Sequence, residues 1–272
     1  MAITVTGATG HLGKLILSEL KGHDVIAVAR RPEAIEGTAR FGDYDQPESL
    51  APAFEGTDTL VFISGSEVGK RIAQHRAIVD AAVAAKVGRI VYTSITHADT
   101  NPGPLAPEHK ATEDYIVASG LPYTFLRNNW YLENYTENLA GALEHGALLG
   151  SAGNGRVAAA TRADFAAATA VVASTDGHEG KIYELGGDEA FTLTELAAAV
   201  SERFGKPVVY RDLPVEEYAK TLESFGVPGP FAQALAHSDA AIAQGALDVV
   251  TGDLSRLVGR PTTTARELLQ TL

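Results

Sequence analysis

Ile3-Thr4-Val5-Thr6-Gly7-Ala8-Thr9-Gly10-His11-Leu12-Gly13 restricts the fold more than any other stretch of the chain. A β-branched run ends at Gly7, two further glycines follow at spacings of three, and Leu12, Leu15, Ile16 and Leu20 then recur on one face of an amphipathic helix. Each glycine has a physical role. Gly7 permits a tight strand-to-helix turn, Gly10 lets backbone approach a pyrophosphate, and Gly13 lets the helix pack against the strand. The free N–H groups and the positive dipole end of such a helix face a phosphate. Glycines at this spacing also mark ordinary turns, so the context decides. Here the triplet follows a strand and opens a helix, which points to dinucleotide binding.

With 272 residues, 45% hydrophobic and 21% charged, the chain is long enough for a full α/β domain and a smaller lobe. No apolar run approaches the roughly 18 residues that span a bilayer, and a strand starting at residue 2 leaves no room for a signal peptide. A cytoplasmic protein with no membrane partner is expected. Cysteine is absent, which excludes disulfides and cysteine-based metal or redox sites. Any electrons that move travel on a cofactor. A net charge of −12 argues against a nucleic-acid partner.

Taken in order, Asp24 to Ala29 reads as a second strand that ends at Arg30-Arg31-Pro32. A carboxylate at this point of a dinucleotide fold accepts from the ribose 2′-OH of NAD, whereas arginine favours the 2′-phosphate of NADP. The sequence offers two arginines and no carboxylate before Glu33, so NADP is expected, with Arg30 as its partner. Ala39 to Asp43 fits a third strand ending near an adenine, where Asp43 and Tyr44 are candidate contacts with a helix-capping or surface role as the alternative, and residues 47–54 a short helix. Thr57 to Ile63 is a fourth strand stopping at Ser64-Gly65-Ser66, small residues suited to a ligand crevice. A helix over 70–86 and a fifth strand over 89–94 follow. This alternation implies a doubly wound parallel sheet of the Rossmann type.

Beyond a loop over 95–107, residues 108–119 return to helix and 122–129 to a sixth strand. Asn128-Asn129-Trp130-Tyr131-Leu132-Glu133-Asn134-Tyr135 is the most polar-aromatic stretch of the chain. Flat rings here can stack on a planar ligand and amides can fix its oxygens, which makes Trp130, Tyr131 and Asn134 candidate substrate contacts; a surface loop with packed aromatics is the alternative. Helices over 164–174, 192–205 and 215–225, strands over 181–185 and 207–211, and a last helical section ending at Gly245 complete the reading. Thr192 and Glu195 form a capping-box pair. The expected division is a dinucleotide-binding domain over 1–130 and a smaller α/β substrate lobe over 131–272, interleaved with the main sheet.

The glycine triplet resembles the extended and atypical short-chain dehydrogenase/reductases. Their usual form carries a serine on the fifth strand and a Tyr-x-x-x-Lys pair on the next helix. Ser94 stands at the serine position, but the helix reads His109-Lys110-Ala111-Thr112-Glu113, so the lysine becomes a carboxylate. Four further segments, Phe62 to Arg71, Tyr92 to Thr100, Leu126 to Tyr135 and Gly259 to Thr264, are together similar to the bacterial type 2 NAD(P)H:quinone oxidoreductases of the NmrA-like branch. The resemblance covers essentially the whole chain. It implies an enzyme that passes a hydride directly from NADPH to a quinone, without flavin or metal, as a monomer or homodimer. It also implies a cofactor site formed by Gly7, Ala8, Thr9, Gly10, His11, Leu12, Gly13, Arg30, Asp43, Ser64, Gly65, Ser66, Thr93 and Arg162. His97 is a candidate for substrate contact and catalysis, and His109 and Tyr92 are candidate general acids. An NADP-binding redox sensor that regulates a protein partner without turnover is the alternative, and both readings expect the Tyr-Lys pair to be missing. Reduction or epimerisation of a sugar nucleotide stands third, because it needs that pair.

Overall fold

The computed structural model describes residues 1–67, 69–137 and 139–272; Val68, inside the segment Phe62 to Arg71 quoted above, lies outside them. Strand and helix alternate through β1 (Ala2–Val5), α1 (His11–Glu19), β2 (Asp24–Ala29), β3 (Ala39–Phe41), α2 (Leu50–Ala53), β4 (Thr59–Phe62), α3 (Arg71–Ala84), β5 (Arg89–Ile95), α4 (Ala106–Ser119) and β6 (Tyr123–Asn128). The chain continues through α5 (Glu133–Thr136), α6 (Leu139–His145), β7 (Ala147–Gly150), β8 (Arg156–Val157), α7 (Arg162–Ser174), β9 (Lys181–Leu185), β10 (Phe191–Thr192), α8 (Leu193–Phe204), β11 (Val209–Asp212), α9 (Val215–Ser224), α10 (Gly229–Ala243), α11 (Asp253–Val258) and α12 (Ala265–Gln270).

Seven strands form one parallel sheet in the order β3-β2-β1-β4-β5-β6-β9. Successive side chains on a strand face opposite sides, and both sides are apolar. Ile3, Val5, Val61, Val91 and Leu126 pack with Leu12, Ile16 and Phe165 on the face covered by α1 and α7. Val28, Leu60, Phe62, Tyr92 and Phe125 pack with Ile78 and Ile116 on the face covered by α3 and α4. Strand order reverses between β1 and β4, so the crevice where a doubly wound sheet binds ligands opens at their carboxyl ends.

A third core joins Leu132, Val157, Leu193, Val200 and Ile242, beside the two-stranded pairs β8–β10 and β7–β11. The last helical section expected to end at Gly245 is followed by two more helices, α11 and α12. Gly252 and Gly259, both left-handed at φ 72° and 76°, bound α11, while Thr264 and Glu267 form a capping box on α12. Among the described residues no helix is long and apolar enough to cross a membrane.

Candidate cofactor and substrate site

Gly7 sits at φ 61°, a conformation that disfavours any side chain, and its carbonyl accepts the Gly10 N–H at 2.9 Å. Gly10 is the extended N-cap of α1, and no side chain caps this helix nor does an acid sit in its first turn. The contrast with α7 and α8 is plain, since Thr161 with Asp164 and Thr192 with Glu195 close those two N-termini. The first-turn N–H groups of α1 thus have no side-chain cap among the described residues. Gly13 has a different role from the one expected. A Cβ there would stand 2.3 Å from the Gly7 carbonyl oxygen and 2.9 Å from the Ala8 Cα, so this glycine lets α1 pack on the turn itself rather than on the strand.

Thr9, Gly10 and His11 are exposed at the turn, whereas Ala8 and Leu12 are buried and hold it to the core. Arg30 is exposed at the end of β2, and its guanidinium makes no hydrogen bond to the described residues. Asp43 serves its own turn: its carboxylate accepts from the Asp45 N–H at 3.1 Å and Gln46 Nε2 at 3.4 Å. The neighbouring Tyr44 reaches into the switch point, where its hydroxyl donates to the Ile63 carbonyl at 2.9 Å and lies 2.7 Å from Thr6 Oγ1.

The segment after β4 is strapped from beneath. Ser64 N–H donates to Thr93 Oγ1 at 3.0 Å, Gly65 N–H to His75 Nε2 at 2.9 Å, and Arg71 Nε to the Gly65 carbonyl at 2.8 Å. Arg71 in turn pairs with Glu108 of α4 at 2.9 Å. Thr93 is thus buried as a support for Ser64. Because His75 Nε2 accepts, its Nδ1 carries the proton and donates to Thr112 Oγ1 at 2.8 Å, which passes its own proton to the Glu108 carbonyl. Burial, with Arg71 nearby, pushes the His75 imidazole down to about 3, so it stays neutral.

Two expected proton donors need correction. Tyr92 is fully buried among Phe62, His75 and Phe125, and burial pushes its phenol far up. Its hydroxyl is committed to His109 Nδ1 at 2.8 Å, so it does not touch a ligand in the crevice. His109 is 6% exposed, and burial drives its imidazole well below the ordinary range, which leaves it neutral rather than a cationic acid. Ser94 is also spent: it donates to Glu113 at 2.6 Å, and Glu113 holds Arg127 through two further bonds at 2.9 and 2.7 Å. Arg127 pairs with Asp99 and Glu184 as well, each at 2.9 Å.

Arg162, Tyr131 and Asn134 do come together. The Arg162 guanidinium lies 5.1 Å from the Tyr131 ring centroid and donates to Asn134 Oδ1 at 3.1 Å, while Glu133 accepts the Arg162 N–H at 2.8 Å. Trp130 faces elsewhere, lining with Ile95, Asn101, Leu105 and Leu247 a cavity of about 20 Å³, room for one water. His97 adopts φ 51° in the loop after β5, and Glu184 accepts its N–H at 2.9 Å. A larger cleft of about 270 Å³ lies on the lobe between Arg156, Phe191, Glu195, Thr263 and Arg266, and none of the expected site residues lines it.

The model of the NmrA-like family matches residues 1–256. The chain belongs to the NmrA-like family. Other members share most of their length with this one. Quinone oxidoreductase 2 of Escherichia coli is 46% identical over 97% of this chain and 96% of its own. The NADPH complex of the E. coli NADPH-dependent quinone oxidoreductase superposes with a TM-score of 0.96 over 99% of both chains. Triphenylmethane reductase of Citrobacter sp., solved with NADP(H), is 40% identical and superposes with a TM-score of 0.94 over 99% of this chain and 100% of its own. The seven-stranded parallel sheet described above is thus that of an NmrA-like Rossmann fold.

Proposed function

We propose that this chain is an oxidoreductase that reduces quinones with NADPH by direct hydride transfer, without flavin. The observation that carries the reading is the full-length similarity to the E. coli quinone oxidoreductase, whose NADPH complex has the same fold. The geometry of the crevice fits the cofactor independently: an uncapped helix N-terminus behind a glycine turn suits a pyrophosphate, and Arg30 at the end of β2, exposed and without a partner among the described residues, suits a 2′-phosphate.

Bound NADPH would supply the hydride. The chain binds and orients it: Gly10, His11 and Leu12 offer backbone donors, Arg30 holds the 2′-phosphate, and Ser64 to Ser66 form the wall that His75 and Thr93 keep in place. Tyr131, its ring steadied by Arg162, gives a planar quinone a surface to stack on, and Asn134 lies beside it. A quinone that accepts a hydride becomes an anion which water can protonate, so the chemistry tolerates a serine and a carboxylate locked into the Ser94–Glu113–Arg127 cluster.

Purified protein should oxidise NADPH in the presence of a simple benzoquinone far faster than the uncatalysed reaction. Tight NADPH binding without turnover on any quinone would instead favour the regulatory reading.

A further inference from the structure

The Glu184 carboxylate on β9 accepts hydrogen bonds from two directions. Oε1 takes Arg127 Nη1 at 2.9 Å. Oε2 takes Thr96 Oγ1 and the His97 N–H, each at 2.9 Å. Glu184 stands opposite Arg127 in the β6–β9 register, and Ser94 stands opposite Arg127 in the β5–β6 register. Two links therefore run from the buried Ser94–Glu113–Arg127 cluster to the loop after β5. One is Glu184, bound to residues 96 and 97, and the other is Arg127 itself, bound to Asp99 at 2.9 Å.

The loop is held in a shape that costs free energy. His97 lies at φ 51°, and Lys86 is the one other non-glycine residue with positive φ among the described residues. Side chains are disfavoured there, and such a conformation persists only where its surroundings impose it. These surroundings are specific. The His97 carbonyl accepts the Thr100 and Asn101 N–H groups at 2.8 and 2.7 Å, Asn101 Nδ2 donates to the Thr96 carbonyl at 2.9 Å, and Glu184 takes the His97 N–H. The His97 ring is half-buried and makes no hydrogen bond to the described residues. A loop tied down for stability alone has no use for a large ring at a left-handed position, where glycine fits at less cost.

The seven strands are parallel, so the edge that carries this loop also carries the glycine turn after β1 and Ser64 to Ser66 after β4. β5 is the direct neighbour of β4, and residues 96–99 therefore border the crevice on the side away from Arg30 and β2. A dinucleotide with its 2′-phosphate at Arg30 has its reacting end on that side. We infer that Glu184 is a positioning residue for quinone reduction: by fixing the Thr96–His97 backbone it sets the His97 ring against the quinone, where a ring N–H meets the oxygen that gains charge. Glu184 acts through His97 and does not touch the substrate. The inference rests on the reading of the crevice as the place where NADPH reduces quinones.

The test measures kcat/KM for benzoquinone and Kd for NADPH in wild type, Glu184→Ala, Glu184→Gln, His97→Ala and the double variant of Glu184→Ala with His97→Ala. Each alanine substitution alone should lower kcat/KM for benzoquinone by about 10- to 100-fold, the scale on which a misplaced group at a reacting centre is felt. Kd for NADPH should stay within about twofold of wild type, because the groups removed lie apart from the cofactor's phosphates. Glu184→Gln keeps an oxygen for the loop and should stay within about threefold of the wild-type rate. The double variant should fall no further than the slower single one, because Glu184 then has no ring left to position. Glu184→Met, which fills the space without a carboxylate, takes the place of the alanine variant if that protein does not fold. Losses that multiply in the double variant overturn the inference, as does unchanged kcat/KM in either single alanine variant. A Kd for NADPH that rises in parallel overturns it too, since Glu184 would then be a structural tie alone. Wild type that binds NADPH but reduces no quinone would remove the reading of the site and this inference with it, whereas normal wild-type turnover with the other contrary results removes this inference alone.

Discussion

Glu113 grips Arg127 with both carboxylate oxygens, at 2.9 Å to Nε and 2.7 Å to Nη2, on the helix where related reductases carry a lysine. Side-chain exposures of 3% and 8% make this a buried pair. Ser94 donates to the same carboxylate at 2.6 Å. A serine and a helix residue that elsewhere handle a proton are joined here into a clamp between β5, α4 and β6. The proposed quinone reduction is compatible with this clamp, because water can protonate the reduced product.

Breaking that clamp should act on stability more than on chemistry. Glu113→Ala strips Arg127 of its bidentate partner, leaving it Asp99 and Glu184, and should cost about 1.5–3 kcal/mol in urea unfolding, the worth of a hydrogen bond to a charged group. Ser94→Ala removes one hydrogen bond to a charged group and should cost about 1.5–3 kcal/mol, with quinone turnover within about threefold of wild type. A collapse of kcat in a folded Ser94→Ala protein would return Ser94 to the chemistry.

Arg30→Ala should raise KM for NADPH by about 10- to 100-fold, the worth of a hydrogen bond to a charged group. KM for NADH should stay put, because only the 2′-phosphate contact is lost. Equal losses for both cofactors would place Arg30 away from the phosphate.

The Gly65–His75 bond predicts a particular response to acid. In the unfolded chain a histidine titrates near 6.5, about 6.5 being its ordinary value, whereas burial holds folded His75 down to about 3. Its contribution is complete above the unfolded value and declines as pH falls through that window, by about 1.4 kcal/mol per unit. His109 shifts in the same direction. Asp239 acts oppositely: burial raises its carboxyl to about 6, so the fold gains from its protonation as pH drops. In His75→Gln an amide oxygen can still accept the Gly65 N–H while the titration disappears. Between pH 7 and pH 5 wild type should lose about 2 kcal/mol more than this variant in urea unfolding. Equal losses would mean that His75 is not held neutral.

Tyr131→Ala should raise KM for quinone by about tenfold, since an aromatic stacking contact contributes about 0.5–1.5 kcal/mol beyond the area it buries. Tyr131→Phe keeps the ring and should change KM little. The measurement is steady-state NADPH oxidation over a range of quinone concentrations.

Much of the fold was legible because its signals are local. The β-branched runs and glycine stops placed all seven strands of the main sheet in sequence, and Gly7 through Gly13 marked its first turn. Thr264 and Glu267 carry the same capping-box spacing that was readable at Thr192 and Glu195, yet the helix behind them is only six residues long and its period too short to register. Strands of two residues such as Arg156–Val157 and Phe191–Thr192 exist only by pairing with each other, and no local pattern announces them. The glycine turn was legible because its geometry depends on backbone. It was hidden where chemistry depends on burial. Tyr92 reads as an acid in one dimension and proves to be core.

The central claim, direct transfer of hydride from NADPH to a quinone, is tested most directly with NADPH deuterated at the transferring C4 position. Protein whose absorption spectrum shows no flavin is mixed with NADPH and benzoquinone, and the rate of NADPH oxidation is followed in a single turnover. The account predicts rapid oxidation without added flavin and a primary isotope effect on the deuterated cofactor. Turnover that appears only after flavin is added, or no turnover from a protein that binds NADPH tightly, would contradict it.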